Sequence, residues 1–156
     1  MLYTCVFNSK IGNIQINADE KSILTVSLTN EAVNFLNKNE IIDETIKQLD
    51  EYFNGNRKEF TLPLNPQGTE FQKKVWQELL KIPYGETRSY KQIAELIGNK
   101  NASRAVGNTC NKNPIAIIIP CHRIIGNNGL LVGYAYGKNL KNSLLNLEKS
   151  KKDFYL

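Results

Sequence analysis

Three short runs of alternating apolar and polar residues occupy the first thirty positions of the chain. They are Leu2–Phe7, Gly12–Asn17 and Ile23–Leu28, all rich in β-branched side chains and separated by polar turns. Alternation with a period of two, interrupted by turn-forming residues, is typical of β-strands. The pattern therefore predicts a small antiparallel meander at the start of the chain.

The apolar spacing becomes helical in the segment Asn30–Gly55. Its apolar residues recur at intervals of three and four, at Ile42, Ile46, Leu49 and Phe53. This spacing predicts an amphipathic helix that stops at Gly55. The next apolar segment, Phe60–Leu64, is strand-sized, and Pro63 favours an edge position because proline cannot donate to a central ladder.

Helical signals dominate after the turn Asn65–Gly68, which we interpret as a lobe boundary. Thr69 and Ser89 each begin a capping box, with a glutamine three residues later. The first box predicts a helix that ends before Ile82, since the proline that follows disfavours helical backbone. The second box predicts a short helix that ends at Ile97.

The second short helix is followed by a glycine-containing turn and a further helix, Ala102–Asn111, so the pair resembles a helix-turn-helix. The β-branched run Ile115–Ile119 predicts a buried strand. A last helix carries a leucine stripe at positions 140, 144 and 147. We predict an α/β (α+β) chain, with an N-terminal α/β lobe over 1–64 and a helical C-terminal helix-turn-helix domain over 65–156.

Composition narrows the classes of protein. The chain has 156 residues, 41% of them hydrophobic, which suits one compact domain or two small lobes. No apolar stretch approaches the ~20 residues of a membrane span. The net charge of +5 is compatible with a polyanionic partner. Three cysteines and no secretory signal predict reduced thiols in a cytosol or nucleus, and a lone histidine predicts no Cys/His zinc site.

A candidate nucleophile, Cys121, directly follows the predicted buried strand and precedes the only histidine, His122. A thiol becomes a good nucleophile only as thiolate, which requires a base or a positive neighbour. Glu148, near the end of the last helix, is a candidate to orient the imidazole in a Cys-His-Glu relay. The alternatives are a small core cysteine, a structural imidazole and a surface carboxylate. Cys5 and Cys110 are interpreted as packing residues.

Other polar residues also have two readings. Arg104 falls early in the second helix of the pair, where a nucleic-acid reader would place it, although most helix arginines are simply solvated. Tyr90 either has a functional role or is a half-buried aromatic ring whose hydroxyl group is in contact with water. Asn113 before a proline serves at least as a helix stop.

A much more specific signal surrounds the cysteine. The segment Ile118–Gly126 resembles the active-site signature of the O6-alkylguanine-DNA alkyltransferases, the methylated-DNA–protein-cysteine methyltransferases. Further blocks resemble that family in its order: Gly68–Gln72 with Val75-Trp76, Ile82–Thr87 with Ser89-Tyr90, Ala102–Asn108, Asn113-Pro114, Gly133-Tyr134 and Leu144–Glu148. The match covers about residues 60–149, and the first sixty residues agree only in pattern.

The resemblance implies an RNase H-like first lobe and a winged-helix second domain that reverses O6-alkylguanine damage. Cys121 is then the alkyl acceptor, and His122 takes its proton through a bridging water while Glu148 holds the imidazole. The transfer is stoichiometric because a thioether is a very poor leaving group. No metal or other cofactor is implied.

The same resemblance implies how the lesion is reached by base flipping. Arg104 fills the stack that the damaged base leaves, and Tyr90 crowds the phosphate and donates a proton to N3 of guanine. Asn113 is the hinge between the recognition helix and the active-site strand. The remaining expected DNA contacts are Ser103, Ala105 and Thr69. The expected substrate pocket is formed by Val132, Tyr134, Ala135 and Tyr136.

The implied partner is double-stranded DNA that contains alkylated guanine, with O4-alkylthymine as a possible second lesion. A monomer is expected, in the cytoplasm with the nucleoid or in a nucleus, and not at a membrane. The chain departs from the family where Val132 and Tyr136 replace glycine, which predicts poorer entry of large adducts. Departures at Ala116 and Ala135 replace a proline and a serine or arginine.

Three other functions compete with alkyl transfer. A non-transferring lesion-binding protein would flag damage, but such relatives replace the acceptor cysteine, which this chain keeps. A helix-turn-helix regulator would prefer a sequence over a lesion, and a charge of +5 with one arginine in the recognition helix is little for sequence readout. A Cys-His-Glu hydrolase would turn over on an ester or a peptide.

Overall fold

The computed structural model describes residues 1–126, 129 and 133–150. The first lobe contains β1 (Tyr3–Ser9), β2 (Gly12–Ala18), β3 (Ile23–Leu28), β4 (Asn34–Asn37) and α1 (Glu40–Phe53). The four strands form one antiparallel sheet in the order β3-β2-β1-β4. Alternate residues of β1 and β2, such as Phe7 and Ile16, are buried with Leu49 of α1 in one core. The predicted meander is confirmed.

The extent predicted for the first helix is wrong. Helix α1 begins only at Glu40, where the side chain of Asn39 accepts a hydrogen bond from the Ile42 amide. The preceding Asn34–Asn37 is an edge strand on β1, and all four of its residues are exposed. A strand with no buried face shows no alternation, so its sequence gives no period-two signal.

The predicted strand Phe60–Leu64 is reduced to a single parallel bridge between Leu64 and Ile23. The Ile23 amide donates to the Pro63 carbonyl at 2.8 Å, and the Asn65 amide donates to the Ile23 carbonyl at 2.9 Å. The rest of the segment is irregular. It therefore runs along the edge of β3 without extending the sheet.

The second half contains α2 (Glu70–Leu80), α3 (Tyr90–Leu96), α4 (Ser103–Asn111) and α5 (Lys138–Ser150). Both predicted capping boxes are present, at Thr69 and at Ser89. The helix-turn-helix prediction corresponds to α3 and α4. A two-stranded parallel pair, β5 (Arg88–Ser89) and β6 (Ile124–Ile125), lies in the same half. Its strands are too short to have been predicted.

Trp76 of α2 contacts both the turn that precedes α2 and helix α4. Its indole Nε1 donates to the carbonyl of Thr109 in α4 at 3.3 Å. A Cβ at Gly68 would lie 2.6 Å from the Trp76 ring, so the turn before α2 requires glycine at this point. The turn and α4 are thereby packed against opposite parts of the same buried ring.

The prediction of a strand over Ile115–Ile119 is wrong, although the segment is buried as expected. Only Ile115 bridges to a strand, at Val26 of β3, and the chain then turns tightly. Ile117 has φ of 71°, a left-handed conformation that is strained for a β-branched residue. Composition correctly predicted burial, but it could not distinguish a strand from a series of turns.

In outline, the fold class is confirmed: a small antiparallel sheet with one helix, followed by a mostly helical half with a helix-turn-helix. Within the described residues, no helix is long and apolar enough to cross a membrane.

Candidate active site

Asn113 organises the turn that leads from α4 to Cys121. Its side-chain oxygen accepts a hydrogen bond from the Ile115 amide at 3.0 Å. Its side-chain nitrogen donates to the Ile119 carbonyl at 2.8 Å and lies 3.2 Å from Cys121 Sγ. One amide thus fastens both ends of the turn and contacts the thiol.

Cys121 begins a single turn of 3-10 helix, Cys121–Arg123, and not the end of a strand. The side chain is buried. Burial raises the pKa of the thiol, while the hydrogen bond from Asn113 and the charge of Lys141 act in the opposite direction. The thiol is therefore protonated at rest and needs a base to become a nucleophile.

His122 and Glu148 are both buried and directly bonded. The distance from His122 Nε2 to Glu148 Oε2 is 2.7 Å. Burial lowers the pKa of His122, so the imidazole is neutral near pH 7. Since a carboxylate can only accept, Nε2 carries the proton and Nδ1 keeps its lone pair. Nδ1 is buried and has no hydrogen-bond partner among the described residues.

Glu148 is the centre of a buried polar cluster. Arg123 donates from Nε to Oε1 at 2.8 Å and from its terminal nitrogen to Oε2 at 3.1 Å. The Gly85 amide donates to Oε1 at 3.2 Å, from a backbone with φ of 83°. Burial alone would raise the pKa of Glu148, but the hydrogen bonds from His122 and Arg123 and their charges outweigh it and lower the pKa to about 2.

Two members of this cluster were missed by sequence reasoning. Arg123 directly follows the Cys-His pair, and its guanidinium is held further by the Ile82 carbonyl at 2.7 Å. Tyr52 of α1 donates its hydroxyl to Glu148 Oε2 at 2.5 Å. The sequence offered one signal for Tyr52: it precedes Phe53, a residue of the apolar stripe of α1, and its side chain carries a hydroxyl group. Nothing in that pattern indicates a partner 96 positions later.

Tyr90, the first residue of α3, is half-buried and donates its hydroxyl to the Gly133 carbonyl at 3.3 Å. Burial, followed by the thiols of Cys110 and Cys121, raises the pKa of Tyr90 to about 12. The phenol is therefore protonated and able to donate a hydrogen bond near Cys121.

The expected DNA contacts lie on two helices. Arg104 and Ala105 are exposed on α4, and Ser103 beside them is half-buried. The opposite face of α4, which includes Val106, is buried. Thr69 is exposed as the N-cap of α2. The arginine is thus presented to solvent by a helix whose other face is fixed in the core.

Two of the expected pocket residues, Tyr134 and Tyr136, lie near the Cys121 thiol. The rings of Tyr134 and Tyr136 meet edge to face, with centroids 5.9 Å apart. Burial, and then the nearby Cys121, raises the pKa of both phenols. The Tyr134 hydroxyl is buried and has no partner among the described residues, whereas Ala135 is exposed. Val132 lies outside the described residues.

In the part of the chain that the structure describes, no three His, Cys, Asp or Glu side chains are grouped to hold a metal ion. Cys5 and Cys110 are buried and free, as expected for packing residues.

Two family models match consecutive parts of the chain. One, described as the ribonuclease-like domain of 6-O-methylguanine DNA methyltransferase, matches residues 1–66. The other, described as the DNA binding domain of 6-O-methylguanine DNA methyltransferase, matches residues 70–150. Together they account for nearly all of the sequence.

Named relatives agree along their whole length. A methylated-DNA–protein-cysteine methyltransferase of Methanosarcina acetivorans is 48% identical over 155 residues, covering 96% of this chain and 99% of the relative. The protein of that name from Mycobacterium leprae is 50% identical over 155 residues, covering 96% and 93%.

Solved structures agree equally well. The O6-methylguanine methyltransferase of Mycobacterium tuberculosis matches with a TM-score of 0.87 at 40% identity, over 97% of this chain and 94% of that one. The Mycobacterium tuberculosis protein crystallised in complex with DNA matches with a TM-score of 0.85 at 42% identity, over 95% and 93%.

Proposed function

The chain belongs to the 6-O-methylguanine DNA methyltransferase family, whose members repair DNA by alkyl transfer to a cysteine, and we propose that Cys121 is the acceptor here. The observation that carries this assignment is the connected set Asn113, Cys121, His122 and Glu148. It places a buried thiol next to an imidazole whose tautomer is fixed by a carboxylate. Neither Cys5 nor Cys110 has such a neighbour among the contacts described.

Activation of the thiol is the first step. The Cys121 proton passes through a bridging water to Nδ1 of His122, the ring nitrogen that keeps its lone pair. The imidazolium that forms is stabilised by Glu148, as in other nucleophile-base-acid relays. Arg123 already neutralises Glu148, so the new positive charge on His122 is balanced by the new thiolate.

Alkyl transfer follows as an in-line displacement. The Cys121 sulfur forms a bond to the alkyl carbon, the bond from that carbon to guanine O6 breaks, and its electron pair stays with the base. Burial raises the pKa of Tyr90 to about 12, so the phenol is protonated before the reaction and gives this proton to N3 of the leaving guanine. Tyr90 regains a proton from solvent, and the imidazolium of His122 releases to solvent the proton that it took from the thiol. One proton leaves the thiol and one enters the base, so the reaction balances without a cofactor.

The product explains why the protein acts once. An S-alkyl cysteine is a thioether, and no group in the described site can displace it. The protein is therefore consumed in stoichiometric amounts, which distinguishes it from a Cys-His-Glu hydrolase that turns over. A lesion-binding protein without transfer has no need of the relay around His122.

The substrate is O6-alkylguanine in duplex DNA, with O4-alkylthymine as a secondary lesion. Arg104, exposed on α4, enters the stack in place of the extruded base, and Ser103, Ala105 and Thr69 contact the DNA around it. Tyr134, Ala135 and Tyr136, with Val132, receive the base. That a relative was crystallised in complex with DNA supports DNA as the partner.

We further propose that the protein works as a monomer, with the boundary between its two lobes between residues 64 and 65. The proposed location is the cytoplasm, with the nucleoid, or the nucleus in a eukaryote. Each protomer has a complete relay, so transfer needs no second copy. The reduced state of the three buried cysteines suits such a compartment.

Intact-protein mass tests the function directly. The protein is mixed with duplex DNA that carries one O6-methylguanine, and the modified peptide is mapped. We expect a gain of one methyl group at Cys121, saturating at one per protein, and none in Cys121→Ser. Lesion binding without mass gain would indicate a flagging role, and neither lesion preference nor mass gain would favour a regulator or a hydrolase.

A further inference from the structure

The N-terminal lobe contributes one side chain to the polar cluster of the active site. Tyr52 lies near the C-terminal end of α1, within the range that matches the ribonuclease-like domain. Its hydroxyl donates to Glu148 Oε2 at 2.5 Å and lies 3.5 Å from His122 Nε2. The side chain is completely buried. A hydroxyl from one lobe therefore reaches the carboxylate that orients the base of the other lobe.

We propose that Tyr52 is a positioning residue for alkyl transfer, which acts through Glu148 to keep His122 neutral and aligned as the proton acceptor. This inference rests on the function proposed above and adds a residue from outside the motifs that define it. Tyr52 does not contact the thiol or the base in this scheme, so it is not a catalytic residue.

Tyr52 and His122 both donate to the same oxygen of Glu148. Glu148 Oε2 accepts from the Tyr52 hydroxyl, from His122 Nε2 and from Arg123. A hydrogen bond to a carboxylate partly neutralises its negative charge. Each donor to Oε2 therefore weakens the attraction of this oxygen for the other donors. Without the hydroxyl, Oε2 would attract the proton on His122 more strongly and would stabilise the imidazolium.

The ring of Tyr52 packs among other aromatic rings, and its hydroxyl points towards the cluster. It meets Phe53, Phe60 and Tyr84 with centroid distances of 5.7, 5.4 and 6.2 Å. Burial, and then the negative charge of Glu148, raises the pKa of the phenol well above its ordinary value. Tyr52 is therefore protonated, and a hydrogen-bond donor, near neutral pH.

The other ionisable groups around His122 come from several elements. Glu148 and Lys141 face it from α5, and Arg123 faces it from its own turn of helix, in which Cys121 is the preceding residue. Tyr84 faces Glu148 from the loop after α2. Removal of the Tyr52 hydroxyl leaves the formal charges of all these groups unchanged. A shift in the titration of His122 would then report the lost hydrogen bond and not a lost charge.

The chain offers a direct measurement because His122 is its only histidine. Protein labelled with ¹⁵N-histidine gives one imidazole, whose tautomer and titration midpoint can be read by NMR without DNA. In Tyr52→Phe, we expect the midpoint to rise by about one pH unit, the size expected for one lost charge-assisted hydrogen bond. The wild type should show the tautomer protonated at Nε2.

The same variant should change alkyl transfer only on the acidic side. Single-turnover transfer at saturating DNA is measured from pH 5 to pH 8. On the acidic limb, Tyr52→Phe should be up to about tenfold slower than wild type, because more of its His122 is protonated. At pH 8, the two rate constants should agree within about threefold, as should the affinity for DNA.

Thr45→Val is the matched control. Thr45 is buried in the same helix, and its hydroxyl donates to the Ile41 carbonyl at 2.8 Å, away from Glu148. It should leave the NMR midpoint and the acidic limb of transfer as in wild type. A merely structural Tyr52 would lower the active fraction at every pH and would leave the midpoint where it is.

A fluorinated tyrosine at position 52 keeps the inference open to test if Tyr52→Phe does not fold. Fluorine makes the phenol a stronger donor with almost no change in shape, so the His122 midpoint should move to lower pH. Unchanged midpoints in both variants would overturn the inference. Failure of wild-type protein to gain a methyl group at Cys121 would instead overturn the proposed function, and the NMR result would stand apart from it.

Discussion

Asn113 Nδ2 lies 3.2 Å from Cys121 Sγ, while the oxygen of the same side-chain amide accepts the Ile115 amide at 3.0 Å. A residue just beyond the C-terminal end of α4 is therefore bonded to the proposed nucleophile. Its hydrogen bond lowers the pKa of Cys121 against the larger effect of burial. The hinge role and the thiol activation that we propose therefore depend on the same side chain.

Asn113→Asp should slow alkyl transfer by about 10- to 100-fold, as expected for the loss of a hydrogen bond to a developing charge. The aspartate cannot donate to Sγ or to the Ile119 carbonyl, and its charge opposes the thiolate. Single-turnover methyl transfer measures the effect. Asn111→Asp introduces the same charge at an exposed position two residues earlier and should retain nearly wild-type rates. Equal losses in both variants would point to general electrostatics and not to the hinge.

The pH dependence of transfer should reflect the buried imidazole. Burial lowers the pKa of His122 below its ordinary 6.5, so the base remains neutral and able to accept a proton below that pH. We expect the rate constant to stay nearly constant from pH 8 to 6.5 and to fall only at lower pH. A half-maximal rate at or above pH 6.5 would contradict this prediction. The His122→Ala variant should lose most of the transfer rate, and its remaining rate should no longer fall below pH 6.5.

The folded protein should lose stability in acid through Glu148. Its pKa falls from an ordinary 4.5 to about 2, so its contribution is complete above pH 4.5 and disappears as the pH drops towards 2. The shift corresponds to about 3 kcal/mol of unfolding free energy. Urea unfolding at several pH values should show a smaller acid loss in Glu148→Gln than in wild type. Near pH 7, that variant should already be destabilised by about 3–5 kcal/mol, because Arg123 is left buried without its partner.

Local signals in the sequence were sufficient for some elements and not for others. The capping boxes at Thr69 and Ser89 are completed within three residues, so α2 and α3 could be predicted from their own sequences. The segment Ile115–Ile119 depends on contacts with Asn113 and Val26, and its burial was predicted but its turns were not. Local composition constrains whether a residue is buried more strongly than it constrains the backbone path.

The polar cluster shows the same limit over longer distances. Cys121 and His122 are neighbours in sequence, and the family motif supplied Glu148 and Asn113. Tyr52 comes from another lobe, and a tyrosine at the edge of an apolar helix stripe resembles an ordinary core residue. Its role follows only from the fold, which brings α1 and α5 together at one carboxylate.

Arg104→Ala should slow transfer on duplex DNA by about tenfold, because nothing then occupies the space in the base stack during flipping. The same lesion in single-stranded DNA needs no such replacement, so the variant should approach wild-type rates there. Asn108→Ala changes another exposed position one turn further along α4 and serves as the control. Equal slowing on both kinds of DNA would assign Arg104 to general DNA binding.

Tyr136 should restrict the size of the alkyl group that can be transferred. Its ring packs edge to face on Tyr134, and it is further held by a hydrogen bond with the backbone of Leu28 in the first lobe. A methyl group needs little space beside Cys121, whereas a benzyl group must displace a ring that is fixed from two sides. Tyr136→Ala should therefore increase the ratio of the benzyl transfer rate to the methyl transfer rate by about tenfold or more. A change of this size is typical when a pocket gains room for one more hydrophobic group. Competition between O6-methylguanine and O6-benzylguanine in otherwise identical duplexes measures the ratio without reference to the amount of active protein. If the ratio is unchanged while both rates fall, Tyr136 supports the pocket without setting its size, and the bulk at this position has no bearing on which adducts are repaired.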